Sequence, residues 1–525
     1  MDILDKNDNN KSITKLSENK YSLNILDLPN EILIYIFEYL SDMNKRKIFS
    51  ICKGFNKFKY SFKLNNFYEI SKIINCPYNF TSLVINNNNE IQYLNNFNVE
   101  RIFLQNKITD KLPNIKALLC NYNDNDIDIN IIPKNILNIT FPKNFNNEIA
   151  QNYFTSLKFV DLRSYNIQLQ PHTFPKTLEN LFMRKYNKKL ISNCIPNNLK
   201  KLKLFEFNNY IDYLPYNLTS LYLNSQEIKI EIKLPETLVD LHLPKYKHDI
   251  ILPKGLIILC IGWENIYNIP KKVKSLNLTN FDKITDNKLP SKLKKLFLKN
   301  YKQIIPPNWL PKTLTKLELD NKYNQIFEED CLPDNIKIFK ISNYYNKEVY
   351  FLPKNLKELY YNAKSLNLEC IPKTLEKLIT GYNVENISGN VSLISSIKVF
   401  EIGNYDNNFN TDIISENIEK IKIFIGGYYP QLSKKLPNNI KFLELNSYTD
   451  VDNDFYPKNL VKLNLRSNVN INKCLPKNLK YLELYMFYKL EITDLPENLL
   501  EIKVFRGYKF IDKLFEITKA KILMY

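Results

Sequence analysis

Hydrophobic and polar positions follow one repeating phrase from about residue 70 to the C-terminus. An apolar residue and a proline are followed by two mostly polar residues, a leucine, two polar residues, and then leucine, any residue, leucine. The prolines that mark the phrase between residues 175 and 372 are 17 to 22 residues apart. Clear copies begin at Phe174, Ile195, Leu214, Leu234, Leu289, Leu310, Leu352, Ile371, Leu436, Tyr456, Leu475 and Leu495. With the weaker copies, the chain holds about twenty-two units of roughly twenty residues.

Each unit is too short to bury its own apolar face, so it must stack on its neighbours. The Leu-x-Leu near its end has a period of two, which predicts a short strand with both leucines facing inward. The proline belongs in the turn before the strand, because it lacks a donor for the ladder. Asparagine and aspartate suit the return turn, since their side chains bond to local backbone. The predicted fold is therefore α+β, with a short N-terminal helical module followed by a long solenoid with one parallel strand per repeat.

The repeated phrase resembles the FNIP repeat, a leucine-rich-like repeat of social amoebae and of giant viruses that infect amoebae. LPKTLTKLEL from Leu310 and LPKNLKYLEL from Leu475 are two of its well-matched copies. The resemblance covers roughly residues 70–515. It implies a leucine-rich-like solenoid that serves as an interaction module, and it supplies neither a catalytic residue nor a ligand class.

Residues 21–65 break the repeat pattern and predict helices. Pro29 can occupy the first turn of a helix, where a missing N–H costs nothing. The segment that follows places apolar side chains at spacings of three and four, which is one stripe of a helix. Ser41 or Asp42 can cap a second helix, and Gly54 can close it. The stripe consists of Ile32, Leu33, Ile36, Phe37 and Leu40.

The segment LDLPNEILIYIFEYLSDMNKRKIFSICKGF resembles an F-box, the helical motif that docks on the Skp adaptor of cullin-based ubiquitin ligases. Phe55 stands where many members carry tryptophan. The resemblance implies an adaptor-binding surface, and it competes with the interpretation that these helices only cap the first repeat. The matching positions include Ile48, Ser50, Cys52 and Lys53, and the adaptor-binding residues that it implies are Leu28, Pro29, Ile32, Leu33, Ile36, Phe37 and Leu40.

Composition argues against several classes of chemistry. The chain of 525 residues has only nine glycines, and it contains no glycine-rich phosphate loop. Three histidines stand outside any catalytic spacing, so we expect no enzyme activity, no cofactor and no metal. The eight cysteines are scattered, without a metal-ligand cluster. Four of them lie two positions before a repeat proline, and this recurring position predicts a stacked core column. That column consists of Cys194, Cys331, Cys370 and Cys474.

The net charge of +18 suggests a nucleic-acid partner, but its distribution does not favour one. Nearly all the cations are lysines spread along the whole length, whereas recognition of phosphates and guanine favours clustered arginine. No apolar run approaches the ~18 residues of a membrane span. The polar N-terminus is not a secretory signal, and we expect an intracellular protein, cytoplasmic or nuclear, in a host cell if the chain is viral.

The pattern therefore predicts a polar disordered leader at residues 1–20, an F-box module at 21–65 and a FNIP solenoid at 70–515. The predicted function is the substrate-recognition subunit of an SCF-type ubiquitin ligase. Its partners would be the Skp adaptor, the cullin complex and an unidentified target protein. The alternatives are a free-standing interaction solenoid with a helical cap, or a lysine-rich nucleic-acid binder.

The residue between the two inward leucines of each strand predicts a row on the outer surface of the sheet. Aromatic side chains are frequent in the middle of this row, and exposed aromatics often anchor protein interfaces. A chain with 13% aromatic residues could also place them there without function. The predicted target contacts are Phe182, Tyr222, Phe297 and Tyr360.

Overall fold

The computed structural model describes most of the chain, and every statement below refers to that part. The described residues are 25, 28–51, 53–76, 78–124, 127–209, 211–224, 230, 233–246, 248–262, 268–279, 289–341, 344–361, 365–381, 386–389, 395–404, 414–425, 435–447, 451, 454–472, 474–485 and 488–524. The predicted leader at residues 1–20 and the F-box position Cys52 lie outside them.

Contacts within the chain define two compact units. Unit 1 comprises Met1–Tyr186 and Asn193–Leu199, and unit 2 comprises Asn187–Ser192 and Lys200–Tyr525. Helices α1 (Asn30–Glu38) and α2 (Asp42–Ile51) lie in unit 1, and α3 (Ile511–Ile517) lies in unit 2. Short 3₁₀ helices span Lys53–Phe58, Ile70–Lys72, Asn88–Asn96, Ile129–Ile131 and Leu368–Cys370.

Unit 1 carries one parallel ladder that runs in the order β2, β4, β5, β6, β7, β8, β9. Strands β1 and β3 form a separate parallel pair. The strands are β1 (Lys63–Leu64), β2 (Tyr68–Glu69), β3 (Asn79–Phe80), β4 (Ser82–Ile85), β5 (Arg101–Leu104), β6 (Ala117–Cys120), β7 (Asn138–Thr140), β8 (Phe159–Leu162) and β9 (Asn180–Met183).

Unit 2 carries a longer parallel ladder from β10 to β28, with β19 and β21 paired to each other beside it. The strands are β10 (Lys201–Leu204), β11 (Ser220–Leu223), β12 (Asp240–Leu243), β13 (Ile258–Ile261), β14 (Ser275–Thr279), β15 (Lys295–Lys299), β16 (Lys316–Leu319), β17 (Ile338–Lys340), β18 (Glu358–Tyr361), β19 (Ser365–Asn367), β20 (Lys377–Thr380), β21 (Asn386–Ser388), β22 (Val399–Asn404), β23 (Lys420–Ile425), β24 (Phe442–Asn446), β25 (Lys462–Leu465), β26 (Tyr481–Leu484), β27 (Glu501–Val504) and β28 (Lys521–Met524).

The leucines of the repeat form the core, as the sequence predicts. Leu202, Leu204 and Leu317 are fully buried, and Leu319 is nearly so. Leu202 is the direct register partner of Leu221 on the next strand, and this alignment continues along the ladder. Because each strand buries two alternate side chains against its neighbours, the apolar face of one repeat is completed by the next.

The proline of the phrase lies in the turn before the strand, which confirms its predicted place. Its carbonyl oxygen accepts a hydrogen bond from the amide of the leucine three residues later. The distance is 3.0 Å for Pro175 and Leu178, and 3.1 Å for Pro196 and Leu199. This is the closing hydrogen bond of a β-turn, and it leaves the missing proline N–H outside the ladder.

The asparagines and aspartates of the turns bond to local backbone, as predicted. Oδ1 of Asp320, directly after β16, accepts from the amide of Lys322 at 3.1 Å, and Oδ1 of Asn470 accepts from the amide of Asn472 at 3.1 Å.

Other asparagine side chains bond to the backbone of the neighbouring repeat. The Oδ1 atom of Asn324 accepts from the amide of Asn346 at 3.0 Å, and Oδ1 of Asn468 accepts from the amide of Lys489 at 2.7 Å. The reason is geometric, since stacked repeats bring the turns of successive units close enough for direct contact.

The cysteine column is largely as predicted. Cys194, Cys331 and Cys474 are buried, whereas Cys370 is only half-buried. None of the four forms a disulfide bond. Burial raises the pKa of Cys331 to about 11, which keeps its thiol protonated and unreactive at neutral pH.

Candidate functional site

The helical module has a core of its own. Leu33 and Phe37 of α1 pack with Phe55, Phe58 and Phe62. The ring of Phe37 lies edge-on to Phe55 and Phe62, with centroids 5.2 Å and 5.1 Å apart. Phe55, at the position where many F-boxes carry tryptophan, is thus an interior residue.

The predicted apolar stripe of α1 is therefore divided between two faces. Leu33 is 0% and Phe37 3% exposed, so a partner cannot reach them. The sequence placed both among the adaptor-binding residues, whereas in the structure they are interior residues. Leu28 and Leu40 are partly buried against the same core, and Pro29 is the exposed residue that precedes the helix. The opposite face keeps large side chains in solvent, namely Ile32, Tyr35, Ile36 and Tyr39, and Met43 at the start of α2 is exposed as well.

Helix α2 is attached to the first strands by buried polar groups. Asp42 is buried, and its Oδ2 accepts from the Asn66 amide at 2.7 Å and from the Tyr68 hydroxyl at 3.1 Å. Ser41, not Asp42, caps the helix, since its Oγ accepts from the amide of Asn44 at 3.3 Å. Burial and then the Asp42 charge raise the pKa of Tyr68 to about 12. Gly54 lies within a 3₁₀ turn beyond the end of α2 and does not close it as predicted.

A cavity of about 450 Å³ opens where α2 meets these strands. Arg46 and Lys47 supply positive charge on one side, and Tyr68 and Tyr78 supply aromatic walls. The guanidinium of Arg46 lies 6.0 Å from the centroid of the Tyr78 ring. The exposed side chain of Met43 on α2 also lines the cavity.

The second candidate surface is the row between the inward leucines, which we call the central row. Direct register pairing aligns it strand by strand, and most of its side chains are half-buried. The sequence missed Cys260 and Ile379, because their strands lack a clear copy of the phrase or end in a different residue, and it missed Leu523, which lies beyond the predicted repeats. In unit 2 the central row contains Lys203, Tyr222, His242, Cys260, Asn277, Phe297, Glu318, Lys340, Tyr360, Ile379, Glu401, Lys422, Glu444, Asn464, Glu483, Lys503 and Leu523.

The four predicted target contacts face outward on their own strands, and the three in unit 2 do not form one patch. Phe182 belongs to unit 1, where Asp161 is its register partner. In unit 2, Tyr222 and Phe297 are four strand steps apart, or roughly 19 Å at the usual strand spacing. Tyr360 lies three further steps along, with the ammonium groups of Lys340 and Lys377 4.4 Å and 5.0 Å from its ring centroid. Within unit 2, Tyr222, Phe297 and Tyr360 are therefore separate aromatic points on the central row.

Charges on the outer face from β16 onward are largely paired with each other. The ammonium of Lys316 lies 2.8 Å from Oε1 of Glu318, which is also 3.1 Å from Lys340. Further along, buried Glu444 contacts the guanidinium of Arg466 and lies 3.5 Å from Nζ of Lys422. These pairs neutralise much of the lysine charge locally, which weakens the nucleic-acid interpretation for this part of the face.

His242, one of the three histidines outside any catalytic spacing, has polar partners in the structure. Its Nε2 lies 2.8 Å from Oδ1 of Asp240, and the Ser220 hydroxyl donates to Oδ2 of Asp240 at 2.9 Å. Hydrogen bonds that its protonated ring donates to the Asp240 carboxylate and then to the Cys260 sulfur raise the pKa of His242 to about 9. Asp240 and His242 are two residues apart on one strand, so their side chains lie on the same outer face. This Asp-x-His spacing is the sequence signal that could have indicated the cluster.

Within the described residues, no group of three or more His, Cys, Asp or Glu side chains is placed to hold a metal ion. No helix in the same part of the chain is long and apolar enough to cross a membrane.

The geometry defines a solenoid of parallel strands of the leucine-rich-repeat type, a class suited to protein interaction. Matches to the FNIP Repeat family at residues 186–226, 282–322 and 323–360 show that FNIP repeats are present. A FNIP repeat-containing protein of Acanthamoeba polyphaga mimivirus is 21% identical over 421 residues, covering 68% of this chain and 99% of that protein. An uncharacterised protein of the same virus is 27% identical and covers 54% of this chain and 92% of its own length.

Solved structures support the same fold. The circular leucine-rich-repeat protein CroV588 aligns with a TM-score of 0.51 and 19% identity, covering 85% of this chain and 89% of its own. TLR13, solved in complex with a single-stranded RNA, aligns with a TM-score of 0.50 and 14% identity, covering 85% and 84%. At these identities the likeness concerns the fold alone.

Proposed function

We propose that the chain is the substrate-recognition subunit of an SCF-type ubiquitin ligase. The helical module would bind the Skp adaptor, and the FNIP solenoid would hold a target protein. The chain would not be an enzyme, because other subunits of the cullin complex would supply catalysis and this one would supply proximity. Since the similar proteins are viral, the adaptor and the target would belong to a host cell.

The observation that carries this proposal is the exposed apolar face of the helices. A helix that only caps a solenoid presents a polar outer face to solvent. Here Ile32 is 47% and Ile36 38% exposed, and Tyr35 and Tyr39 lie on the same face of α1 at helical spacing. A contiguous apolar surface of this kind marks a protein interaction site. The proposal therefore assigns adaptor binding to this face and not to Leu33 and Phe37.

A second candidate is a free-standing interaction solenoid whose helices are a cap. It is favoured by the hydrogen bonds that join Asp42 to Asn66 and Tyr68, because such contacts seat the module on the first repeat. Both functions use the solenoid to bind a protein, and they differ only in the adaptor.

Purified Skp adaptor distinguishes the two candidates in a pull-down with the full chain. The Ile32→Asp, Ile36→Asp double variant should lose the adaptor, because unpaired charge would be buried at the interface. It should keep the thermal transition of the wild type, since both side chains are exposed. The matched control is Ile304→Asp with Ile326→Asp, two exposed isoleucines of the repeats. Failure of the wild type to bind the adaptor would favour the cap.

A further inference from the structure

A groove of about 690 Å³ lies in unit 2, on the segments that precede strands β16, β17, β18 and β20. Its apolar lining includes the residue directly before the repeat proline in three successive units, namely Leu310, Leu332 and Leu352. The groove therefore follows the repeat from one unit to the next. The central row belongs to the strands themselves, so the groove is a separate surface.

Two exposed aromatic side chains line this groove. Tyr350 is 55% and Phe351 45% exposed. Phe351 stands two residues before its repeat proline, at the position where Cys331 is buried in the preceding unit. The hydroxyl of Tyr350 donates to the carboxylate of Glu348, which also accepts from the Ser365 hydroxyl at 3.4 Å. Adjacent aromatic side chains that stay in solvent beside a groove are typical of an interaction site.

The charge of the groove is opposite to that of the chain, whose net charge is +18. Four carboxylates line the groove against two ammonium groups, and the carboxylates are those of Glu329, Asp330, Asp334 and Glu369. Nζ of Lys354 lies 3.4 Å from Oδ2 of Asp334, so these two charges neutralise each other. The other three carboxylates are exposed and form no ion pair among the described residues. At about 0.1 M salt the Debye length is about 10 Å, so a cation in the groove responds to these carboxylates more than to distant lysines.

The groove is long enough for a short extended peptide. Asn308, Asp330, Tyr350 and Glu369 occupy the same position, three residues before the proline, in four successive units. Adjacent strands of the ladder lie roughly 4.8 Å apart, so the three steps span about 14 Å. An extended chain covers roughly 3.3 Å per residue, so the groove accommodates about four residues.

We propose that this groove binds an extended, arginine-containing segment of another protein. A guanidinium group is planar, so it can stack on the ring of Tyr350 or Phe351 and donate two parallel hydrogen bonds to a carboxylate. Glu329, Asp330 and Glu369 would supply the carboxylates. The aliphatic stem of the arginine would cover the leucines that line the groove.

This inference names the chemistry of a partner of the solenoid, and it rests on the proposed function only in that the solenoid binds a protein. It needs no adaptor. The test therefore uses the purified full chain alone, with a fluorescein-labelled peptide of alternating arginine and glycine residues and fluorescence anisotropy as the readout.

The wild type should bind this peptide, and its affinity should fall several-fold between about 0.05 M and about 0.3 M salt, because salt screens exposed ion pairs. The same peptide with glutamine in place of arginine should bind at least about tenfold more weakly, since it lacks the planar cation. These two measurements need no variant.

Two double variants locate the site. Glu329→Gln with Asp330→Asn should weaken arginine-peptide binding about tenfold, because two exposed pairs are lost. Asparagine also tolerates the positive φ of 62° at position 330. Tyr350→Ala with Phe351→Ala should weaken binding about fivefold through the lost stacking. All four side chains are exposed, so both variants should keep the thermal transition of the wild type.

The matched control is Asp494→Asn with Glu497→Gln, which removes two exposed carboxylates from the segment before β27, outside the groove. It should keep the wild-type affinity. The proposal is wrong if this control loses as much as the groove variants, if the glutamine peptide binds as well as the arginine peptide, or if the wild type does not bind up to about 1 mM peptide. Any of these results with intact adaptor binding would overturn this inference and leave the proposed function standing.

Discussion

The ammonium nitrogen of Lys45 donates a 3.1 Å hydrogen bond to the main-chain carbonyl oxygen of Lys63. Lys45 is a buried residue of helix α2, and Lys63 begins the first strand, so this bond joins the helical module to the repeats. Asp42, one turn earlier on the same helix, makes the second connection. The module and the first repeats of unit 1 should therefore unfold together.

Asp42→Ala tests this connection. The substitution leaves the Asn66 amide and the Tyr68 hydroxyl without an acceptor, and a buried unsatisfied donor costs about 1–3 kcal/mol. We expect faster hydrogen exchange at the amides of both α1 and β2, measured by mass spectrometry. Asp454→Ala removes an exposed aspartate and should change neither. Loss of protection in α1 alone would show that the module opens independently.

Truncating an inward-facing and an exposed leucine of the repeats should change the free energy of unfolding by very different amounts. Leu317 is fully buried, and its truncation to alanine should cost about 2–5 kcal/mol in the free energy of unfolding. Leu500 is 54% exposed, and the same change there should stay within about 0.5 kcal/mol. Because each repeat contacts only its neighbours, hydrogen exchange should locate the damage near β16. Equal effects at the two sites would contradict the assignment of the inward face.

The buried carboxylate of Glu444 should contribute more to stability than an exposed carboxylate that also contacts a lysine. Glu444 is 3% exposed between Arg466 and Lys422. Lys422 also lies 3.6 Å from Glu401, so removing the charge of Glu444 weakens mainly the contact with Arg466. Glu444→Gln should cost about 1.5–3 kcal/mol, the usual contribution of a hydrogen bond to a charged group. Glu419 also faces a lysine but is exposed, and Glu419→Gln should cost at most about 1 kcal/mol. Chemical denaturation of both variants measures the difference, and similar costs would contradict the buried pairing.

His242 predicts a pH dependence of stability with a definite sign. Its pKa is raised in the folded chain, so its contribution is complete below its ordinary value of 6.5 and is lost as the pH rises towards about 9. Burial alone would raise the pKa of Asp240, but hydrogen bonds from His242 and Ser220 outweigh it and the pKa lies lower than usual. The difference in unfolding free energy between wild type and His242→Gln should shrink between pH 6.5 and pH 9. A constant difference would contradict the ion pair.

The sequence predicts the strand and the turn of each repeat well, because both depend on a few adjacent residues. Leu202 and Leu204 alternate in a way that only an inward-facing strand satisfies, and Pro196 fits only the turn before it. The helices were also predictable from their periodicity. The division of the α1 stripe was not, because Leu33 and Phe37 are selected as interior residues by Phe55, Phe58 and Phe62, which follow α1 in the chain.

Contacts between repeats could not be read from the chain. The approach of His242 to Cys260 depends on the register between two strands 18 residues apart, and repeat lengths vary along the sequence. The same holds for the stacked tyrosines, where Tyr323 lies 6.0 Å from Tyr301 and 6.3 Å from Tyr345 between ring centroids. The sequence of a single repeat does not indicate these contacts, because each of them joins residues of neighbouring repeats.

The central row predicts where a target protein would bind. Tyr222 and Phe297 are half-buried aromatic side chains on the outer face, and a ligand that touches both must span five strands. The Tyr222→Ala, Phe297→Ala double variant should lose its co-purifying target by mass spectrometry, because aromatic anchors carry much of an interface's energy. It should keep the Skp adaptor and the thermal transition of the wild type. The control is Tyr216→Ala with Tyr481→Ala, two exposed tyrosines outside the row, which should keep the target. Retention of the target by the first variant would move the binding surface to the return turns.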